Sequence, residues 1–264
     1  MRVMARVSIV PTEWREYFVS KYSRQAEQVI GDNELEFYVD APGYGELKEE
    51  IAVKNVHSNE WRYAVYSNSE IEDSKLLSIF IPAAPLDLRG DDFKYYERLC
   101  PACRVYINQK SDLVLKKEMG KRDIGMTYAH EYLISPRLKS IFEREHITGV
   151  QYRPVSHRNY EEPVAYQLVV TNTLPPLHPS SDLESSGTDC EVCGFRSVLK
   201  PWVKPLAYAA EVQSQLQDFN RSTEFFGIGI YPRPSIMASQ RVRQLLIANK
   251  VEPVQYEPVL FVAS

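Results

Sequence analysis

The chain contains four cysteines, and all four fall in two C-x-x-C pairs: Cys100-Pro101-Ala102-Cys103 and Cys190-Glu191-Val192-Cys193, the second followed at once by Gly194. A two-residue gap lets both thiolates of a pair face one ion. Two such pairs complete a tetrahedral shell of four sulfurs with metal–sulfur bonds of about 2.3 Å. The pairs are 86 residues apart, far more than in a local zinc ribbon, so the fold itself has to bring them together. The expectation is one structural Zn2+ per chain, held by Cys100, Cys103, Cys190 and Cys193. Two alternatives stay open. One is disulfide or redox chemistry, although a thioredoxin-like redox pair wants a strand before the motif and a helix opening at it, which neither pair displays clearly. Iron is compatible with a thiolate tetrahedron. Four protein ligands leave no open coordination position, so the metal is read as structural rather than catalytic.

Four thiolates around a dication carry a net charge of about −2, which backbone N–H···S bonds and neighbouring cations must ease. Gly194 suits a positive φ that turns amides toward sulfur. Arg104 holds the matching place after the first pair, where that conformation would cost an L-residue about 1–2 kcal/mol. Arg98 and Arg196 are further cations beside the pairs, and His178, shortly before the second pair, is a candidate neighbour of the metal. The commoner fate of such a histidine is a satisfied core or surface position.

A second constraint is an internal repeat. Ser135–Val155 and Ser239–Val259 align without a gap at an offset of 104, with seven of 21 positions identical, among them Ser135/Ser239, Arg137/Arg241 and the ending Val-Gln-Tyr-x-Pro-Val. Ser135 is a good N-cap and Pro136 suits the first helical position. Leu138, Ile141 and Phe142 then form one buried stripe, matched by Val242, Leu245 and Leu246. Gly149 stops the unit, and Val150 and Tyr152 alternate as in a half-buried strand. Each cysteine pair precedes one copy, so pairing of the copies would bring the pairs together. Upstream, Ile124-Gly125 matches Ile228-Gly229 at the same offset.

Elsewhere the patterning predicts a helix over Thr12–Ile30, strands over Glu34–Val39, Trp61–Tyr66 and Leu76–Ile81, a long surface loop over Asn172–Asp189, a helix over Pro205–Asn220 and a buried strand over Phe225–Ile230. The fold class is therefore α+β (mixed α/β): a duplicated helix–strand module over residues 98–264, joined by a split four-cysteine zinc ribbon, after an N-terminal α/β extension over residues 1–97. With 264 residues and 44 % hydrophobic composition, the chain is long enough to bury a substantial core.

The formal net charge of −4 argues against a dedicated nucleic-acid binder. No apolar run approaches a membrane span, and the N-terminus lacks a signal-peptide core, which reads as a cytoplasmic location. No P-loop, dinucleotide fingerprint, G-x-S-x-G elbow or H-E-x-x-H motif is present, and the carboxylate pairs Glu49-Glu50 and Glu161-Glu162 read as solvent-facing charge. The best fit is a non-catalytic binding protein. The rivals are a nucleic-acid binder using Lys110, Lys116, Lys117, Lys121 and Arg122, and an enzyme with a dispersed site between the repeated halves near His130 or His178.

The order of motifs resembles the double-CXXCG motif paralogous family first noted in myxobacteria. The matching residues are Cys100, Pro101 and Cys103, the helix running to Gly149, the Leu177-His178-Pro179 step, Cys190, Cys193 and Gly194, and the closing helix–strand copy. Asp218-Phe219 to Ile230 is similar to that family's segment before its last helix. The resemblance covers about Arg98 to Val259, leaves the first hundred or so residues outside, and departs from the pattern at Arg104, where the family has glycine. It implies an immunity protein that neutralises a cognate protein toxin in the cytoplasm, through a rigid surface rather than a catalytic site. Some of the 17 Tyr and 3 Trp would serve as anchors on such a surface, although most are expected in the core.

Overall fold

The computed structural model describes residues 1–263. Contacts divide them into two units, Met1–Glu70 with Trp202–Pro205, and Ile71–Pro201 with Leu206 onward. In the first unit, β1 (Arg2–Ile9) is followed by α1 (Thr12–Tyr22), β2 (Gln28–Ile30), β3 (Glu34–Tyr38), α2 (Pro42–Val53) and β4 (Ser58–Val65). The strands form an antiparallel sheet in the order β2-β3-β1-β4. Alternation along β1 sends Ala5, Val7 and Ile9 inward, where they meet Leu35 and Phe37 of β3, Phe18 and Tyr22 of α1, and Leu47 and Ile51 of α2. Trp202 accepts a hydrogen bond from the Ala64 amide (2.8 Å), which places the short return segment on β4. The helix expected to run to Ile30 stops at Tyr22. Gln28–Ile30, with its β-branched Val and Ile, instead pairs with β3 through a turn at Gly31 (φ +60°).

Glu50 of α2, read from sequence as solvent-facing charge, accepts hydrogen bonds from Tyr17 (2.6 Å), Tyr22 (2.8 Å) and Lys21 (2.8 Å). Glu60 of β4 does the same for Tyr44 (2.8 Å), Arg62 (2.6 Å) and Lys48 (2.7 Å). Burial pushes both carboxyls up, but these donors outweigh it and hold each at about 2. Both folded values lie below the ordinary Glu value of about 4.3. Their stabilising contribution is therefore complete above that pH and is lost as pH falls toward 2. The chemical-denaturation midpoint of the first unit should drop steeply over that interval, and the drop should flatten in Glu50→Gln/Glu60→Gln. An equally steep fall in the double variant would refute this assignment.

The chain crosses the boundary in α3 (Asn68–Asp73) and enters the second unit at β5 (Leu76–Phe80). There follow β6 (Tyr96–Arg98), β7 (Tyr106–Gln109), β8 (Val114–Leu115), β9 (Ile124–Met126), β10 (Tyr132–Ile134), α4 (Pro136–Arg144), β11 (Val150–His157) and β12 (Ala165–Val170). The remainder comprises β13 (Glu184–Ser185), β14 (Val198–Leu199), β15 (Ala207–Ala209), β16 (Phe219–Phe226), β17 (Arg233–Ser239), α5 (Gln240–Ala248), β18 (Gln255–Pro258) and β19 (Leu260–Val262). Two larger sheets result, β8-β11-β12-β10-β9 and β13-β14-β16-β17-β5-β18, beside the two-stranded pairs β6-β7 and β15-β19. The N-terminal unit is thus shorter than the 1–97 extension read from sequence. Leu76–Phe80 is an interior strand of the second unit, paired with β17 on one side and β18 on the other.

The two helix–strand segments occupy matching places. Leu133 pairs with Gln167 and Ile134 with Tyr166, as Met237 pairs with Ser78 and Ala238 with Leu77. Tyr152 pairs with Leu168 and Pro154 with Tyr166, as Tyr256 pairs with Ile79 and Pro258 with Leu77. The strand between the two arms is β12, later in the chain, in the first sheet and β5, earlier in the chain, in the second. Ser135 and Ser239 cap their helices by accepting from the amides of Leu138 (3.1 Å) and Val242 (3.3 Å). Each cap hydroxyl also donates to an aspartate: Ser135 to Asp123 (2.6 Å), Ser239 to Asp218 (3.0 Å).

The same aspartates hold Arg137 and Arg241, and each arginine donates onward to the terminal carbonyl of the other helix. Arg137 reaches Asn249 (3.1 Å) and Arg241 reaches Glu145. Those carbonyls are among the groups a helix end leaves without an intrahelical partner. The Arg137 guanidinium, first among its partners, holds the Asp123 carboxyl below the usual range. Leu138 and Phe142 of α4, Val242 and Leu246 of α5, and Ile124, Leu168, Ile79 and Phe219 of the sheets share one buried cluster.

Further sequence expectations need correction. Pro205–Asn220 is not an α-helix: Ala207–Ala209 pairs in parallel with Leu260–Val262, and only a 3-10 stretch follows over Ala210–Gln215. The strand expected over Phe225–Ile230 ends at Phe226, because Gly227 (φ +113°) and Gly229 (φ +88°) turn the chain and leave Ile228 exposed. The counterpart of Ile124-Gly125 is Phe219-Asn220, since Ile134 pairs with Ile124 as Ala238 pairs with Phe219. The longer β16–β17 connection displaces the offset. The loop Asn172–Asp189 also buries Leu174 and Leu177 and contains β13.

Candidate metal centre

Each C-x-x-C pair sits at the tip of a β-hairpin. The first spans the β6–β7 turn, closed by the Leu99 amide on the Val105 carbonyl (2.8 Å). The second spans the β13–β14 turn, closed by Ser186 on Ser197 (3.0 Å) and by Cys190 on Phe195 (2.9 Å). Phe195, buried and packed edge-on against Phe225 (5.3 Å), anchors the second tip to β16.

The four sulfurs converge, all within 4.8 Å of one another. Cys100 and Cys103 are 3.4 Å apart, Cys100 and Cys190 3.7 Å, and Cys103 and Cys193 3.9 Å. A tetrahedron with bonds of about 2.3 Å has edges of about 3.8 Å, so the array has the size of a shell around one ion. Sulfurs joined as disulfides would stand about 2.05 Å apart, and all four thiols are free.

Backbone amides point into the array. The Cys103 amide donates to the Cys100 sulfur (3.3 Å), and the Val105 amide to Cys103. At the second tip, the Cys193 and Val192 amides donate to Cys190, and the Phe195 amide to Cys193. The Cys193 amide, before all else, brings the Cys190 thiol down to about 7. At Cys103 burial acts upward, but the amides and neighbouring thiols bring it down. At Cys193 the Phe195 amide favours the thiolate, yet burial and the other three sulfurs outweigh it and push the thiol up to about 12. Four thiolates this close repel one another, and the array has the size and donor chemistry to hold a cation that would offset that charge.

Gly194 takes the left-handed conformation (φ +70°), and its amide closes on the Cys190 carbonyl (2.9 Å). Arg104, at the matching place, keeps a negative φ, so the strain expected there is not incurred; its side chain is exposed. Arg98 donates to the Tyr106 hydroxyl (3.0 Å), and its charge interacts with the Cys103 sulfur. His178 makes a local cap. Its Nδ1 accepts from the Ser180 amide (3.1 Å), capping the 3-10 turn Pro179–Ser181.

The other candidates are dispersed. Lys110, Lys116, Lys117 and Lys121 are exposed, and Arg122 donates to the Ala84 carbonyl (3.0 Å). His130 lies at a hairpin turn with φ +59°, its imidazolium disfavoured by burial and then by the Arg233 charge. Sequence reasoning missed the polar group beside it. Glu131 accepts from Arg233 (2.9 Å) and Gln167 (2.7 Å), and Gln167 also donates to Gln109 (2.8 Å). No helix of the described residues is long and apolar enough to cross a membrane. No protein-family model matches this chain, and no curated protein matches it either.

Proposed function

We propose that this chain is a non-catalytic, zinc-stabilised binding protein in which two helix–strand modules derived from one ancestor are joined by a split four-cysteine zinc ribbon. The observation that carries the reading is the closed array of four sulfurs, with edges of 3.4, 3.7 and 3.9 Å, contributed by two hairpin tips. Four cysteine ligands fill a tetrahedral ion and leave it no position for water or substrate, which suits zinc as a structural element. Duplication is supported by the matched strand registers, the paired serine caps and the reciprocal Arg137 and Arg241 contacts.

The resemblance to the double-CXXCG family extends the reading to an immunity protein that binds and neutralises a cognate protein toxin in the cytoplasm. Its support is the order of the cysteine, Leu-His-Pro and helix–strand motifs along residues 98–259. The test is co-expression with a toxin-like protein encoded beside this chain. Cell survival, and co-elution of the two proteins as a stoichiometric complex, is the expected result. No protection and no complex would overturn the immunity reading. Salt-sensitive RNA or DNA binding by the purified chain would favour the nucleic-acid rival instead.

A further inference from the structure

Apart from the sulfur array, the second unit carries a cleft of about 400 Å³ lined by Phe93, Tyr128, Tyr231, Asp87, Asp91 and Lys116. Three separate segments deliver the rings: the 3-10 turn before β6, the β9–β10 hairpin turn and the β16–β17 connection. Phe93 stands 6.0 Å from Tyr231 in a near-stacked arrangement, yet it remains 46 % exposed, and Tyr128 is 58 % exposed. Rings this large are normally buried or engaged, and Tyr128 has no hydrogen bond or ring contact among the described residues.

Its placement is enforced by the turn around it. Thr127 and Ala129 are fully buried on either side. The turn is closed by the His130 amide on the Thr127 carbonyl (3.0 Å), the Thr127 amide on the Glu131 carbonyl (3.0 Å) and the Glu131 amide on the Thr127 hydroxyl (3.2 Å). His130 completes it in the left-handed region (φ +59°), a conformation that a non-glycine residue rarely adopts and that persists only where the surroundings impose it. Burying Thr127 and Ala129 leaves Tyr128 no direction but outward.

The chemistry of the lining selects the ligand. Aromatic faces carry negative quadrupole charge and attract cations within about 6 Å of the ring centre. Among the lining side chains two carboxylates, Asp87 and Asp91, oppose one ammonium, Lys116, and the Lys94 ammonium lies beside Gly90 as a further cation. The adjoining rings already hold the chain's own guanidinium groups: Arg233 lies 5.0 Å from the Tyr96 ring and 5.7 Å from Tyr231, and Arg98 lies 5.8 Å from Tyr106. We propose that this cleft binds an organic cation, an alkylammonium or guanidinium group, between Phe93 and Tyr128 with Asp87 and Asp91 as counter-charges. The group is either a free small molecule or a lysine or arginine side chain on another protein. This site does not depend on the zinc or immunity readings.

The test is an NMR titration of the full chain with two probes, tetramethylammonium chloride and a short peptide containing one trimethyl-lysine. Saturable shifts of the Phe93 and Tyr128 ring signals are expected with at least one probe. Phe93→Leu/Tyr128→Leu should weaken binding by about tenfold or more, the scale of a partly desolvated cation–π pair. Asp87→Asn/Asp91→Asn should weaken it several-fold, whereas Lys116→Gln should tighten it by removing a like charge. All three variants alter exposed side chains, and unchanged melting will show that the fold is intact. Tighter binding of the peptide assigns the site to a side chain on a partner, and equal binding assigns it to a free cation. The absence of saturable shifts with both probes, unaltered binding in the aromatic variant, or weaker binding in Lys116→Gln would overturn the proposal.

Discussion

Cys190→Ser should sharply lower the melting temperature and abolish metal retention. Structural zinc contributes apparent binding free energies on the order of 10 kcal/mol, comparable to the roughly 5–15 kcal/mol that separates a folded domain from its unfolded chain. Serine preserves the size of the side chain but not the soft thiolate, so the loss falls on coordination rather than packing. Cys190 faces the first hairpin tip at 3.7 Å from Cys100, as Cys193 does at 3.9 Å from Cys103, and without it the four-sulfur shell that joins the β6–β7 and β13–β14 turns is incomplete. Treatment of the unaltered protein with a strong chelator should produce a similar drop, reversed by added metal. Unchanged melting with retained metal in Cys190→Ser would contradict the assignment of this residue as a ligand.

The second large effect is expected at Gly149. This residue adopts φ +80°, and a Cβ built on it would lie 2.0 Å from the carbonyl oxygen of Phe219. That carbonyl cannot easily withdraw. The Phe219 amide donates to the Thr148 carbonyl (3.0 Å), and the Asp218 carboxylate receives both the amide (3.0 Å) and the hydroxyl (3.1 Å) of Thr148. Gly149→Ala therefore combines left-handed strain of about 1–2 kcal/mol with a backbone collision that breaks these bonds, for a total of about 4 kcal/mol or more. Gly187 is the control. It has a similar φ of +73° and open space around it, so Gly187→Ala should cost only the strain. Equal denaturation midpoints for the two variants would show that the close approach of Gly149 to Phe219 is not a real constraint.

The parts of this molecule that were legible beforehand are those written in local pattern. The C-x-x-C spacing specified two knuckles, and the use of every cysteine in them specified one shared site. Ser135 and Ser239, with the apolar stripes behind them, specified two capped helices, and both caps form. Arg137 and Arg241 stood out as identical, but their task did not, because each contacts a carbonyl more than ninety residues away.

Long-range partnership was the limit elsewhere. Leu76–Phe80 reads as a buried strand in isolation, yet nothing local reveals that it lies between β17 and β18, far later in the chain. The Glu131–Gln167–Arg233 group was invisible for the same reason: its members come from three separate strands or turns. Pro205–Asn220 misled because Leu206, Val212 and Leu216 fall near helical spacing while tertiary pairing with Leu260–Val262 decides the conformation. The cap made by His178 carried no signal of its own in the sequence: its Nδ1 is held by the turn that begins beside it.

The central claim is that two remote cysteine pairs hold one ion between them. Elemental analysis of the purified protein, combined with X-ray absorption at the metal edge, addresses it most directly. The account predicts one zinc per chain with four sulfur neighbours at about 2.3 Å and no nitrogen or oxygen in the shell. Protein purified under metal-replete, reducing conditions that carries no stoichiometric metal, or a metal bound by fewer than four sulfurs, would contradict it.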